Sequence, residues 1–481
     1  MAEGDGWEGG DSAVSTVDAM LVMNGDVVTM DTQRRILTEA TIAVANGSIV
    51  AIGHADDLRA RFPQADVLDA TACMVIPGLI NAHQHATVDP LVRSMIPDDI
   101  SSTEAIFRWL MPLHEQADGD DDELAATLTA VDCLTRGVTT LLEPGTTAHP
   151  LRVAAGLSAV GIRARVGCWG WDAEGMPFAA PAAETIARQE ETVKKLPRSA
   201  LVTGWVTLVG HDLVSDELFT GASELATRLD TGLTWHMSPH GADAAAYLKR
   251  CGQRPIVHLD RLGVLGPRLV LGHAVHIDDD ELEAIVRTGT AVASCPGAYL
   301  RLGQEYGRFG RHGELVRRGG RIALGCDSHN AGDVPDVLHA AYLLTALEHD
   351  RGDSGALRAG EALAIATIDG ARAVGMSDQI GSIEVGKAAD LVVLDTSGPG
   401  WVPRGEPTKH LVWGGASTSV RDVLVDGRVV VRDREVQNVD ATELRQEAAT
   451  RSAMLRSRAR IEVPHIWPEV AIVSHRDRRA R

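Results

Sequence analysis

A chain of 481 residues, 44% hydrophobic and 23% charged, is too long for one small core and too ordinary in composition for a disordered or fibrous protein, so one large domain with a smaller companion is expected. The formal net charge of −20 argues against a nucleic-acid partner, which needs a basic face, and against an anionic membrane surface. No run approaches the ~20 apolar residues of a membrane span, and the acidic start MAEGDGWEGGDSAVS lacks a secretory pattern, so a cytoplasmic location is expected. The cysteines Cys73, Cys133, Cys168, Cys251, Cys295 and Cys326 show no CxxC spacing and mostly lie in apolar stretches, which predicts buried free thiols.

Residues 1–18 read as a disordered N-terminus. From Ala19 to residue 76 come short strands and turns (MLVMNGDVVTM, ATIAVANGSIVAIG, ADVLDATACMVIPG), with Asn24-Gly25 and Asn46-Gly47 as hairpin signals. Across 77–378, strand-like runs alternate with amphipathic stretches. Helices are predicted over Glu123–Thr135, Leu151–Val160, Glu217–Leu229, Asp279–Thr288 and Asp336–Glu348, and strands over Val138–Leu142 and Arg163–Trp169. This alternation predicts an α/β fold, a (β/α)8 TIM-like barrel. Strands return over 379–440 (GSIEVGKAADLVVLD, then VRDVLVDGRVVVRDREV with Asp426-Gly427 as a turn). They are expected to join 19–76 in a small composite β-sandwich module. Residues 441–481 read as a helix, Ala441–Ile461, followed by a frayed tail.

Four segments offer metal-binding side chains at or just past the end of an apolar run: VIPGLINAHQH (His83, His85), LTWHMSP (His236), LVLGHAVH (His273) and IALGCDSHN (Asp327). Parallel barrel strands deliver their last residues to one rim, where catalytic groups sit. Imidazoles and a carboxylate meeting there make a divalent metal site with room for a water, hence a metal-dependent hydrolase. His83 and His85, spaced i and i+2, share one face of an extended strand and can reach one ion.

VIPGLINAHQH, GHAVHIDDDEL, GCDS and GSIEVGKAADLVVLD resemble the amidohydrolase superfamily in its mononuclear branch, over about residues 19–440. That branch holds cytosine, guanine and adenosylhomocysteine deaminases and triazine, phenylurea and thiocarbamate hydrolases. The resemblance implies His83, His85, His236 and Asp327 as ligands of one divalent ion. Zinc is the first expectation, and iron, manganese or cobalt can fill the same set. It also implies Asp327 as the acceptor of the water proton, and His273 as a catalytic group that hydrogen-bonds the water or polarises the reacting carbonyl. Two-metal relatives carry a lysine on the fourth strand; here that strand, LVTGWVTLVGHD, has none. A homo-oligomer is expected by analogy.

The chain departs from the deaminase pattern at Pro239, where a ring-protonating glutamate is usual. His211, His240 and Glu143 are candidate substitutes. Ser294-Cys295-Pro296-Gly297-Ala298-Tyr299 replaces a more polar motif and gains Tyr299. Trp109, Trp169, Trp171 and Met95 are candidates to line an apolar pocket, His329 and Asn330 to orient Asp327 or touch substrate, and residues 86–116 to form a lid. The expectation is hydrolysis of a non-peptide C–N bond in an amide, urea, carbamate or thiocarbamate-type small molecule. The alternative is a deaminase or dechlorinase of a nitrogen heterocycle such as a purine, pyrimidine or triazine; a remote alternative is a non-catalytic metal-binding relative.

Overall fold

The computed structural model describes residues 19–198, 201–332, 334–352, 357–464 and 467. The expected disorder of 1–18 and fraying of the final tail concern residues outside this set. The strands are β1 Ala19–Val28, β2 Ile36–Ala45, β3 Ser48–Gly53, β4 Asp66–Asp69, β5 Cys73–Pro77, β6 Leu79–Asn81, β7 Val138–Leu142, β8 Arg163–Val166 and β9 Val202–Gly204. They continue as β10 Val206–Gly210, β11 Leu233–Met237, β12 Leu269–His273, β13 Ala291–Ser294, β14 Arg321–Leu324, β15 Leu391–Asp395, β16 Val420–Val425, β17 Arg428–Arg432 and β18 Glu435–Val436.

The two ends of the chain share one nine-stranded sheet, in the order β18-β17-β16-β15-β5-β1-β2-β3, with β4 beside β1. The join is the antiparallel pair β5–β15, with Val75 opposite Val393. Side chains from both ends (Val22, Ile42, Ile49, Leu68, Val75, Leu391, Val393, Leu424) form one buried cluster. Arg163 ties this sheet to the barrel through a bidentate pair with Asp390, at 3.0 and 2.9 Å, with Asp390 almost fully buried.

Strands β6 to β14 form the eight-stranded barrel expected from the alternation, as two parallel runs, β6-β7-β8-β9 and β10-β11-β12-β13-β14. The runs β7, β11 and β12 are buried at every residue, as strands covered on both faces must be. The fourth barrel strand is split at Trp205. Its indole occupies the space beside Gly232, where a Cβ would come within 2.1 Å of the ring. Ala82 N donates to Leu324 O (2.8 Å) and Asp327 N to His83 O (2.9 Å), which joins the last strand to the first.

Helix starts follow capping chemistry more closely than apolar periodicity. The helix Gly119–Leu134 begins four residues before the predicted Glu123, because Asp118 accepts from Asp120 N and Asp121 N while Asp121 reaches back. The C-terminal helix Ala441–Ala459 is docked. Leu444 and Leu455 pack with Leu91, Val92, Leu113 and Leu124, and Arg458 pairs with Asp118 (3.1 Å) and Asp121.

Candidate metal centre and substrate cavity

The polar rim is assembled from strand ends. His83 and His85 lie in the turn just after β6, not within the extended strand predicted for them. Asn81 fixes this turn: its Oδ1 accepts from His83 N (3.3 Å) and from Cys326 N (3.1 Å) on the far side of the barrel seam. His236 sits within β11, His273 closes β12, and Asp327 follows β14 by three residues. The backbone turns sharply here: His211, Ser238, His273 and Asp327 all have positive φ, at 57, 53, 77 and 63°. Such left-handed conformations cost roughly 1–3 kcal/mol each and cluster where side chains must be aimed.

The structure brings the predicted ligands together. Asp327 Oδ1 lies 3.3 Å from His85 Nε2 and 4.0 Å from His83 Nε2, and Asp327 Oδ2 lies 4.0 Å from His273 Nε2. His85 Nε2 and His236 Nε2 are 3.4 Å apart. Donor atoms of His83, His236 and His273 lie within 4.8 Å of one another, as do those of His83, Cys295 and Asp327. The rings are aimed from behind. His236 Nδ1 donates to Val209 O (2.8 Å), and His85 Nδ1 bonds Thr146 Oγ1 (2.7 Å), which itself bonds Glu143. Both leave Nε2 facing the centre. Glycine is required beside His83: a Cβ on Gly272 would lie 2.8 Å from its Cε1, and one on Gly325 2.6 Å from its Cβ.

This donor set fits a divalent cation. His83 is fully buried, yet among the described residues neither of its ring nitrogens has a hydrogen-bond partner. Buried polar atoms are almost always partnered, and neutral imidazole beside a carboxylate is the usual environment of such an ion. The electrostatics agree for three of the imidazoles, whereas at His85 burial is outweighed by the Asp327 carboxylate, which raises its value. Burial holds His83 and His236 well below the usual histidine range, and His273 down to about 4, so all three are neutral ligand-competent bases at pH 7. Burial pushes Asp327 up, but its hydrogen bond from His85 and the neighbouring imidazoles outweigh this and hold it ionised.

A cavity of about 350 Å³ opens onto these groups. It is walled by Trp169, Trp171, Ile106, Phe107, Leu110 and Met111 on the apolar side, with Pro239, His240, Asp89, Gln304 and Asn330 as polar or rim contacts. His211 also lines it. Asp243 accepts from His211 Nδ1 (2.9 Å) and holds the His211 ring against His236, with centroids 5.7 Å apart. Burial lowers the His211 value, and Asp243 more than restores it. Of the expected substrate contacts, Trp169, His211 and His240 therefore lie on the cavity wall.

Trp109, Tyr299 and His329 do not. The segment Ala105–Leu110 is a π-helical turn, whose extra residue per turn rotates Trp109 away while Phe107 and Leu110 face inward. Tyr299 is fully buried under His273, its hydroxyl 3.4 Å from the carbonyls of His273 and Ala293. His329 is buried 3.6 Å from Asp132. Glu143 is fully engaged by Gly145 N, Thr146 and Thr147, so it supports His85 and leaves no proton for substrate. Met95 is absent from the cavity wall. Sequence reading missed Asp89, which accepts from Asn330 Nδ2 (3.1 Å) across 241 residues, and Asp243, 32 residues from His211. The free cysteines are buried as expected, except Cys251, which is exposed.

Residues 74–430 match the amidohydrolase family, and residues 42–65 match an imidazolonepropionase-like composite domain of bacteria. The 5-methylthioadenosine/S-adenosylhomocysteine deaminase of Syntrophobacter fumaroxidans is 31% identical over 434 residues, 88% of this chain and 95% of the relative. The enzyme of that description from Haloarcula marismortui is 28% identical, over 92% of this chain and 99% of the relative. Among solved structures, a zinc-bound adenosine deaminase from Xanthomonas campestris superposes with a TM-score of 0.84 at 29% identity, covering 92% of this chain and 98% of that one. An atrazine chlorohydrolase from Arthrobacter aurescens shares the fold, with a TM-score of 0.82 at 23% identity, over 90% of this chain and 100% of that one. The chain thus belongs to the amidohydrolase family and is a hydrolase of carbon–nitrogen bonds other than peptide bonds.

Proposed function

We propose that the chain holds one divalent cation, zinc first, on His83, His85, His236 and Asp327, and hydrolyses a C–N bond at an unsaturated carbon of a nitrogen heterocycle. The observation that carries the cation is the fully buried His83 ring with both nitrogens unpartnered among convergent imidazoles and a carboxylate. The zinc bound to the Xanthomonas adenosine deaminase supports the choice of ion. The heterocycle is supported by the deaminases of adenine nucleosides among the relatives, and by a cavity walled by Trp169, Trp171 and Phe107 that suits a flat ring.

When bound, the cation supplies the Lewis acidity that makes water a nucleophile near neutral pH. Asp327, ionised at rest, would accept the water proton, becoming neutral, and then pass it to the departing nitrogen. His273, neutral and 4.0 Å from Asp327, donates a hydrogen bond where negative charge develops. Trp169, Trp171 and Phe107 position the ring and exclude bulk water. Pro239 has no proton for a ring nitrogen, so a hydrogen-bond donor is needed from elsewhere on the wall. His211, oriented by Asp243, stands there, and burial raises Asp89 towards the protonated form in which alone it can donate.

Pro239 favours a second reading: an amide, urea or carbamate, whose carbonyl is polarised without ring protonation. Product analysis separates the two. Ammonia from 5′-methylthioadenosine, S-adenosylhomocysteine, other purines or triazines supports the first; release of an organic amine from amides and ureas supports the second. Absence of both with the metal-loaded protein overturns the proposal. The barrel, residues 77–378, is taken as the catalytic unit and the composite sheet, 19–76 with 379–440, as its support. A reducing cytoplasm fits the free thiols. Self-association belongs to this reading and is checked by sedimentation.

A further inference from the structure

On the barrel face opposite the histidines, the starts of β8, β9, β11 and β12 surround a second cavity of about 700 Å³. Four arginines line it: Arg163, Arg165, Arg198 and Arg268. Three are neutralised. Arg163 is paired with Asp390 (2.9 Å) and Asp426 (3.5 Å), while Arg198 and Arg268 share Asp230 (3.1 and 2.8 Å). Arg165 is the surplus charge. Among the described residues its only side-chain hydrogen bond goes to the neutral Thr203 hydroxyl, its Nε finds no partner and no carboxylate pairs with it. Its guanidinium lies 5.4 Å from the Trp205 ring centroid, which helps hold it in place. Trp205 Nε1, on the same wall, is likewise unpartnered among the described residues. Burial, together with the charges of Arg163 and Arg198, pulls the Arg165 value down to about 10, which shows the strain of an uncompensated cation.

We propose that this cavity is an oxyanion site of the phosphate class, with the Arg165 guanidinium as its principal ligand and the carboxylate-paired Arg163, Arg198 and Arg268 flanking it. A guanidinium presents a rigid fork of N–H donors that matches phosphate oxygens, and an anion supplies the countercharge the protein leaves out. The site is remote from the metal centre, so it is independent of the catalytic reading. The cavity has room for a phosphoryl group carried on a larger molecule as well as for a free ion.

The test is isothermal titration of the metal-loaded protein with inorganic phosphate and with inorganic pyrophosphate. Saturable binding of at least one, with Kd of ~1 mM or tighter, is expected; a preference for pyrophosphate points to a phosphoryl group borne on a larger ligand, and a preference for phosphate to the free ion. Arg165→Met should weaken binding by roughly tenfold or more, whereas a phosphate held at the metal rim would be indifferent to it. Arg165→Lys, which keeps the charge and loses the fork, should fall between. Absence of saturable binding to the parent protein, or unchanged affinity in folded Arg165→Met, overturns the proposal. Should Arg165→Met fail to fold, Arg165→Lys decides by the same criterion.

Discussion

Replacing Thr146 by valine tests how the centre is built from behind. The Thr146 hydroxyl sits between His85 Nδ1 (2.7 Å) and Glu143 Oε1 (3.1 Å), so it fixes the tautomer that leaves His85 Nε2 facing inward. Valine keeps the shape and removes both bonds. Glu143 retains Gly145 N (2.7 Å), Thr146 N (3.2 Å) and Thr147 Oγ1 (2.7 Å), so the damage falls on His85 alone. Leaving a buried ring nitrogen unpartnered costs about 1–3 kcal/mol, which is roughly 5- to 150-fold in metal affinity. Competition against a chromogenic chelator measures this directly, and thermal melts of the metal-free proteins show whether the fold survives. Thr146→Ser should restore most of the affinity. Metal binding by Thr146→Val within about twofold of the parent would refute the claim that Thr146 orients His85.

Other perturbations have equally definite outcomes. Asp390→Ala leaves the buried Arg163 only its 3.5 Å contact with Asp426 and should cost about 3 kcal/mol in denaturant titrations; a loss below ~1 kcal/mol would show the pair to be dispensable. Gly272→Ala places a Cβ 2.8 Å from His83 Cε1 and 3.0 Å from its Nδ1, so the ring must shift and bound metal should fall about tenfold while circular dichroism is unchanged; full metal occupancy would contradict this. Burial pushes Asp118 up, but backbone bonding from Asp121 and the charges of Arg458 and Arg451 prevail and hold it at about 2. Its contribution to docking the C-terminal helix is therefore present above the ordinary value of 3.8 and lost as the pH falls through about 2. Hydrogen exchange of 441–459 should accelerate over that window, and Asp118→Asn should remove most of the change; an unaltered profile in the variant would assign it to other groups.

The ligand rim was legible because a buried parallel strand leaves a compact trace: an apolar run and then one polar residue. LVLGH is strand β12 to the residue, and LTWHM is β11. The pairing of the chain's two ends was legible from the return of strand texture after the barrel. What stayed hidden depends on phase and distance. Apolar periodicity cannot show the π-helical turn at Ala105–Leu110, so Trp109 was expected where Phe107 and Leu110 stand. A helix opened by Pro296 folds Tyr299 beneath His273, away from the cavity its position in the motif suggested. Asp89 and Asp243 acquire their surroundings from residues far along the chain, and no local spacing announces such pairs.

On the proposed function, turnover requires a divalent ion caged by His83, His85, His236 and Asp327. Exhaustive chelation of the purified protein, followed by stepwise return of zinc while turnover is recorded, tests it most directly. Activity should vanish with the metal and return in proportion to occupancy of a single site, and Asp327→Asn should not be rescued. Full turnover by the metal-free protein would contradict it.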